Sequence, residues 1–165
     1  MNIPPLNTEA SPRAVLLSRL KSYMSEPPIR GGWGYSMQDA CILDNEDPDV
    51  VGMPFDWLGW EKYFIEKRIQ EELIYQRADG ERFSGIELEK QKQTLVKDGD
   101  RFFDHLIIKV TALPTRDWEE LKAEYEGPIG VKNPNFDISA HMAKHERKTI
   151  TFIREYWFDI TGKFQ

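Results

Sequence analysis

The sequence is poor in the residue types that most often cross-link a chain or carry out catalysis. Its 165 residues include one cysteine, Cys41, which excludes an internal disulfide. Cys41 sits in an apolar run with no basic neighbour in sequence, so we expect it to pack as a small hydrophobic side chain. There are three histidines, and the phosphate-loop, dinucleotide-binding, nucleophile-elbow and Cys-x-x-Cys patterns are absent. We therefore assign no catalytic residue and lean toward a protein that is not an enzyme.

Long apolar runs and an excess of positive charge are also missing. No run approaches the length of a membrane span, and the first ten residues lack the basic and apolar regions of a secretory signal. The net charge is −6 at pH 7, which disfavours nonspecific binding to nucleic acid or an anionic membrane because both are negatively charged. We expect a cytoplasmic protein with neither of those partners, and the oligomeric state stays open.

The length suits one sizeable core, and local patterns predict both helices and strands. Residues 1–10 carry two prolines and little periodicity, which predicts a flexible arm. Further along the chain, the patterns predict a helix from Ser11-Pro12, a strand from Tyr35 to Leu43, a helix from Trp57 to Tyr75, a strand from Phe102 to Leu113 and a helix from Asp117 to Glu126. For Leu73 to Arg77, a strand is the alternative.

The last part of the chain supports two interpretations. Apolar residues alternate over Thr149 to Thr161, which favours a strand, whereas a stripe from Ile138 to Tyr156 also fits a helix. We favour a helix through about Arg147 followed by a strand, and residues 148–156 stay open between the two. Because the helices and strands do not alternate regularly, the sequence predicts a single α+β domain over residues 1–165, with helices packed on a mixed or antiparallel sheet.

The segment from Gly31 to Trp60 combines flexible backbone, indole rings and negative charge. It contains three of the five tryptophans, five of the eleven glycines and four carboxylates within six residues. Indoles are frequent anchors of interfaces, and carboxylates steer basic partners. We predict an outward-facing docking patch for a basic protein, formed by Trp33, Tyr35, Asp44, Glu46, Asp47, Asp49, Trp57 and Trp60. The alternative for the four acids is a solvated turn.

His141 and His145 lie four positions apart, which is the spacing by which a helix offers two zinc ligands. The glutamate that follows the first histidine in metalloprotease helices is replaced by Met142. We therefore predict no metal and no cofactor. A small metal-dependent or carboxylate-based hydrolase using Asp44, Asp47, His141 and His145 is the alternative function, and a carbohydrate- or peptide-binding module is a third possibility.

Other charged residues have weaker signals. Asp104 and His105 are neighbours on the predicted central strand, so their side chains point to opposite faces and cannot readily pair. We expect Asp104 at the rim of that strand, and deep burial with a perturbed pKa would instead make it a functional candidate. The charges from Glu66 to Glu72 alternate in sign along the predicted helix, which is typical of a solvated face.

The stretches GGWGYSMQDACILD and EKYFIEKRIQEELIY resemble uncharacterised bacterial proteins of similar size that are associated with toxin-immunity systems. The resemblance covers the middle third of the chain and includes no diagnostic catalytic motif, so it assigns no functional residue. It implies a small acidic cytosolic protein that blocks a basic toxin, often a nuclease, by covering its active surface.

Overall fold

The computed structural model describes residues 2–20, 27–43 and 56–164. In chain order these ranges contain α1 (Pro12–Leu20), β1 (Ile29–Gly31), β2 (Cys41–Leu43), α2 (Trp57–Gln70) with its π-helical continuation (Glu71–Tyr75), β3 (Phe83–Asp98), β4 (Arg101–Pro114), α3 (Thr115–Glu126), α4 (Ile138–Lys148), β5 (Ile150–Asp159) and a 3-10 helix (Thr161–Phe164). None of the helices in these ranges has both the length and the apolar character that crossing a membrane requires.

The strands form one mixed sheet in the order β1-β2-β5-β4-β3. Strands β2 and β5 run parallel, and the other neighbouring pairs run antiparallel. The long hairpin of β3 and β4 turns at Gly99, whose φ of 60° is a left-handed conformation that glycine adopts without strain. Helices packed on a mixed sheet confirm the α+β fold class that the sequence predicts.

Helix α2 crosses one face of the sheet, here called the inner face, and the core lies between them. Because strand side chains alternate between faces, Leu106, Ile108 and Val110 of β4 all point toward α2, and none is more than 4% exposed. Phe64 and Ile69 of α2 pack into the same core and are 0% and 1% exposed. Burial of these side chains removes large apolar areas from water and is the main stabilisation of the fold.

Helices α3 and α4 lie against the opposite, outer face of the sheet. The indole of Trp118 in α3 sits over Gly85 in β3, where an added Cβ would lie 2.8 Å from the ring. Thr111 and Thr151, which point outward from β4 and β5, line a cavity beneath the two helices together with His145 of α4. The two faces of the sheet are therefore covered by different helices.

Several predicted elements are confirmed, including the helix that begins at Pro12, where the Ser11 hydroxyl accepts a hydrogen bond from the Ala14 N–H at 3.2 Å. The strand predicted from Tyr35 to Leu43 is wrong except for its last three residues. Its first part bends instead, because the Gly34 N–H donates to the Asp39 carbonyl at 2.7 Å. The first ambiguous region continues α2 as a π-helical turn over Glu71–Tyr75 and does not form a strand there. The second consists of a helix that ends at Lys148 and the strand β5 that follows it.

The N-terminal segment, over its described residues 2–10, is packed rather than a flexible arm. Ile3 is 1% exposed and belongs to the core. The Arg154 guanidinium of β5 donates a hydrogen bond to the Ile3 carbonyl, and the Leu6 N–H donates to the Tyr35 hydroxyl at 3.0 Å. An isolated apolar residue produces no periodicity, so the sequence alone did not reveal this packing.

Candidate functional site

Trp33, which the sequence predicts as an exposed anchor, lies in the core. Its side chain is 6% exposed, and its ring packs against Phe64 with 6.2 Å between the ring centroids. Its indole N–H donates to the Ala10 carbonyl at 3.1 Å. The expectation of an exposed indole is wrong here, because the N-terminal segment covers the ring.

Tyr35 belongs to a buried ionic network. Its hydroxyl donates to Glu72 at 2.5 Å, and the same carboxylate lies 3.3 Å from Nε of Arg68 and 2.7 Å from Nε of Arg154. Burial raises the pKa of Tyr35 well above its ordinary value, and the charge of Glu72 adds to the effect, so the hydroxyl remains a donor. The Arg68 and Glu72 side chains are both 0% exposed. Arg68 and Glu72 are therefore interior, which corrects the prediction that the charges from Glu66 to Glu72 form a solvated face.

The remaining residues of the predicted docking patch are only partly described. Trp57 and Trp60 lie at the start of α2 and are half-buried against the core, and the Trp60 ring meets Tyr63 edge-on at 5.3 Å between centroids. Their membership in a partner interface stays a prediction. The four carboxylates predicted to steer a basic partner lie outside the described residues: Asp44, Glu46, Asp47 and Asp49.

The two histidines of α4 have different environments. His141 is 6% exposed, and its Nδ1 lies 3.4 Å from a carboxylate oxygen of Glu124 in α3, so this contact joins the two helices. His145 instead lies against Thr149, with 3.5 Å between its Nδ1 and the hydroxyl. Within the ranges that the structure describes, no three His, Cys, Asp or Glu side chains are arranged to hold a metal ion.

A cleft with a volume of about 590 Å³ opens between α2 and the inner face of the sheet. Small-molecule sites in proteins commonly measure roughly 300–1,000 Å³ and are mostly apolar. The walls carry aliphatic side chains from three directions: Leu58, Ile65, Ile69 and Ile74 from α2 and its continuation, Ile86 and Leu88 from β3, and Leu106 and Ile108 from β4. The cleft also has polar lining residues: Glu61, Lys62, Glu66, Gln70, Lys90 and Gln93.

Glu61 in the wall of this cleft meets a second buried carboxyl group, that of Asp104. Glu61 of α2 lines the cleft and is 5% exposed, and it hydrogen-bonds to Asp104 of β4, which is 8% exposed. Burial first, and then the charge of Asp104, raise the pKa of Glu61 to about 8. A hydrogen bond between two carboxyl groups needs a proton on one of them. At neutral pH Glu61 keeps its proton and can donate it in this hydrogen bond.

Hydrogen bonds connect this carboxyl pair to the rim of the cleft. The Gln93 amide donates to Asp104 at 2.5 Å, and the Lys90 ammonium donates to the Gln93 carbonyl oxygen at 2.8 Å. Both ends of the Gln93 amide are thus engaged, which fixes its orientation. The charges of Lys163 and Lys90 act in the opposite direction to burial and lower the pKa of Glu61 by smaller amounts.

An apolar cleft with a buried, protonated carboxyl group in its wall can hold an amphipathic molecule and exchange a proton near neutral pH. The sequence carried one signal of it: Asp104 shares a strand face with Leu106 and Ile108. The expectation that Asp104 lies at the rim is wrong, because α2 covers it. Glu61 could not be identified from the sequence, since a buried glutamate on a helix has the same local sequence pattern as an exposed one.

No family model matches this chain, and the comparisons with curated proteins and with solved structures return no match either. The resemblance to toxin-immunity proteins therefore stays a prediction. The functional argument depends on the geometry of the cleft and the charges around it.

Proposed function

We propose that this protein binds a small amphipathic molecule in the cleft between α2 and the inner face of the sheet. The observation that carries the proposal is the cavity of about 590 Å³, lined by aliphatic side chains from α2, β3 and β4 together with the buried carboxyl group of Glu61. An apolar lining with a few placed polar groups is the usual composition of a small-molecule site, in which the apolar part provides affinity and the polar groups fix orientation.

Burial of apolar surface is the driving force for such binding. Leu58 is 68% exposed at the cleft, and Ile86 and Leu88 are half-buried in its wall. At about 25 cal/mol per Å², a ligand that covers roughly 200 Å² of apolar surface gains about 5 kcal/mol. The loss of translational and rotational freedom offsets much of that gain. We therefore expect affinities in the micromolar range for simple apolar probes.

The test is a fluorescence titration with Nile red, an uncharged dye that brightens in apolar surroundings. In the variant Leu88→Trp an indole fills the cleft from β3, and in the control Ile153→Trp the same indole is placed on the outer face, where Ile153 is 53% exposed. We expect saturable binding by the wild type and the control, and at least about tenfold weaker binding by Leu88→Trp. Equal binding by all three proteins, or no saturable binding by the wild type, would contradict the proposal.

The second proposal is that this protein forms a specific complex with a basic protein, as an immunity protein does with its toxin. The net charge of −6 supports it, and Trp57 and Trp60 retain partly exposed rings, although Trp33 no longer provides an anchor. Affinity capture from lysate at low and high salt tests it. A basic protein that is lost at high salt and with Asp44→Asn/Asp47→Asn would support the proposal, and salt-independent capture would contradict it.

A further inference from the structure

We propose that the ligand of this cleft is an aliphatic amine, whose ammonium group docks at the carboxyl group of Glu61, beside Asp104. The inference rests on the proposed function, because it assigns the head group of a molecule that the apolar cleft accommodates. Glu61 lines the cleft from α2, and its hydrogen-bond partner Asp104 of β4 also accepts from Gln93 in the cleft wall, so a head group placed at Glu61 lies next to both carboxyl groups.

The surroundings of Glu61 favour a cation. Glu61 and Asp104 are 5% and 8% exposed, and a negative charge on a buried carboxyl group is stable only with a partner of opposite sign. The charged side chains that act on Glu61 come from three elements: Asp104 in β4, Lys90 in β3 and Lys163 in the 3-10 helix. The Lys90 ammonium is engaged at the rim by Gln93 at 2.8 Å, and neither lysine outweighs the combined effect of burial and Asp104.

The same charges disfavour other head groups. A carboxylate or phosphate would add negative charge beside an existing carboxylate, which is repulsive at low solvent exposure. A hydroxyl would be accepted, but it would form only hydrogen bonds without a charge of its own. Hydrogen bonds between an ammonium and a carboxylate are about twice as strong as neutral ones, so an amine gains more from this pair than an alcohol of equal length.

Docking of the ammonium is an exchange of one cation for another. Before binding, the Glu61 carboxyl group carries a proton, since burial and Asp104 raise its pKa to about 8. After binding, the ammonium hydrogen-bonds to the Glu61 carboxylate, and the proton of Glu61 leaves to solvent because a nearby positive charge favours the ionised carboxyl group. No bond other than the O–H bond of Glu61 breaks. Binding near neutral pH should therefore release close to one proton for each amine bound.

The experiment compares octylamine with octanol by calorimetric titration of the full chain, in two buffers with different heats of ionisation. We expect octylamine to bind at least about tenfold more tightly than octanol. The heat of octylamine binding should differ between the two buffers by the amount that corresponds to release of about one proton. If octanol binds as tightly as octylamine and no proton is released, the amine inference is wrong while the cleft proposal stands. If neither octanol nor Nile red binds, the proposed function itself fails.

Two conservative variants locate the exchange. Glu61→Gln removes the exchangeable proton and should abolish proton release, whereas Asp104→Asn removes the neighbouring carboxyl group and should reduce the release. Each variant should reduce the preference for amine over alcohol by at least about tenfold. Octanol binding should persist in both variants, which shows that the cleft remains folded. The control Glu119→Gln, on the exposed surface of α3, should behave as the wild type. An unchanged amine preference in both cleft variants would overturn the inference.

Discussion

Replacing Glu61 with glutamine should remove a pH-dependent penalty on folding. In the folded protein, burial and Asp104 raise the pKa of Glu61 to about 8, whereas the ordinary value of 4.5 applies in the unfolded chain. Between these values the unfolded chain has released a proton that the folded protein keeps. The contribution of Glu61 to the free energy of unfolding is therefore fully present below about pH 4.5 and is lost as the pH rises toward about 8.

The magnitude follows from the span between the two pKa values. At about 1.36 kcal/mol per pH unit, the whole span corresponds to roughly 5 kcal/mol, and partial solvation of the cleft reduces this to roughly 3 kcal/mol. Glutamine cannot ionise, and its amide N–H can still donate to Asp104. The variant should therefore match the wild type near pH 4.5 and exceed it by roughly 3 kcal/mol near pH 8.

Urea denaturation at a series of pH values, followed by the fluorescence of the five tryptophans, measures this difference. The control Glu119→Gln changes an exposed glutamate of α3 and should follow the wild type at every pH. If the curves of Glu61→Gln and the wild type remain parallel across the range, Glu61 does not hold a proton in the folded protein, and the reasoning from its burial is refuted.

Three further predictions test packing by urea or thermal denaturation. Glu72→Gln deprives the buried guanidinium of Arg68 and the half-buried one of Arg154 of their carboxylate and should cost about 3–5 kcal/mol, whereas Glu120→Gln breaks a surface pair and should cost less than about 1 kcal/mol. Ile3→Ala should cost about 2–4 kcal/mol because that side chain is 1% exposed, and Ile129→Ala, at 72% exposed, less than about 0.5 kcal/mol. Gly34→Ala should lower the Tm by about 3–6 °C, since its φ is 77° and a Cβ would lie 2.9 Å from a β5 carbonyl oxygen. Equal effects within either matched pair, or an unchanged Tm in Gly34→Ala, would contradict these contacts.

Elements with strong local signals could be predicted from the sequence. Strand β4 has apolar residues on both faces and ends at Pro114, and α3 ends before Gly127-Pro128. The sequence did not indicate β3, because register shifts between Ser84 and Glu87 and between Lys90 and Lys92 interrupt its alternation. Its inward positions also change from aliphatic to polar along the strand, which hides the pattern of a half-buried strand.

The candidate site depends on contacts between distant parts of the chain, so local patterns could not predict it. Arg68 and Glu72 look like a solvated pair on a helix, and they are interior because β5 and Tyr35 close over them. Glu61 is buried only because α2 crosses β4 at Asp104. A single sequence shows the spacing along one helix or strand, and it does not show which helix lies over which strand.

Methyl NMR of isoleucine- and leucine-labelled protein, titrated separately with octanol and octylamine, tests the central claim most directly. If the cleft is the binding site, both ligands should shift the methyl signals of Ile69, Leu88 and Leu106 along its walls. The signals of Ile42 and Ile153, which are 38% and 53% exposed on the outer face, should stay unchanged. Shifts confined to the outer face, or none at saturating ligand, would contradict the account.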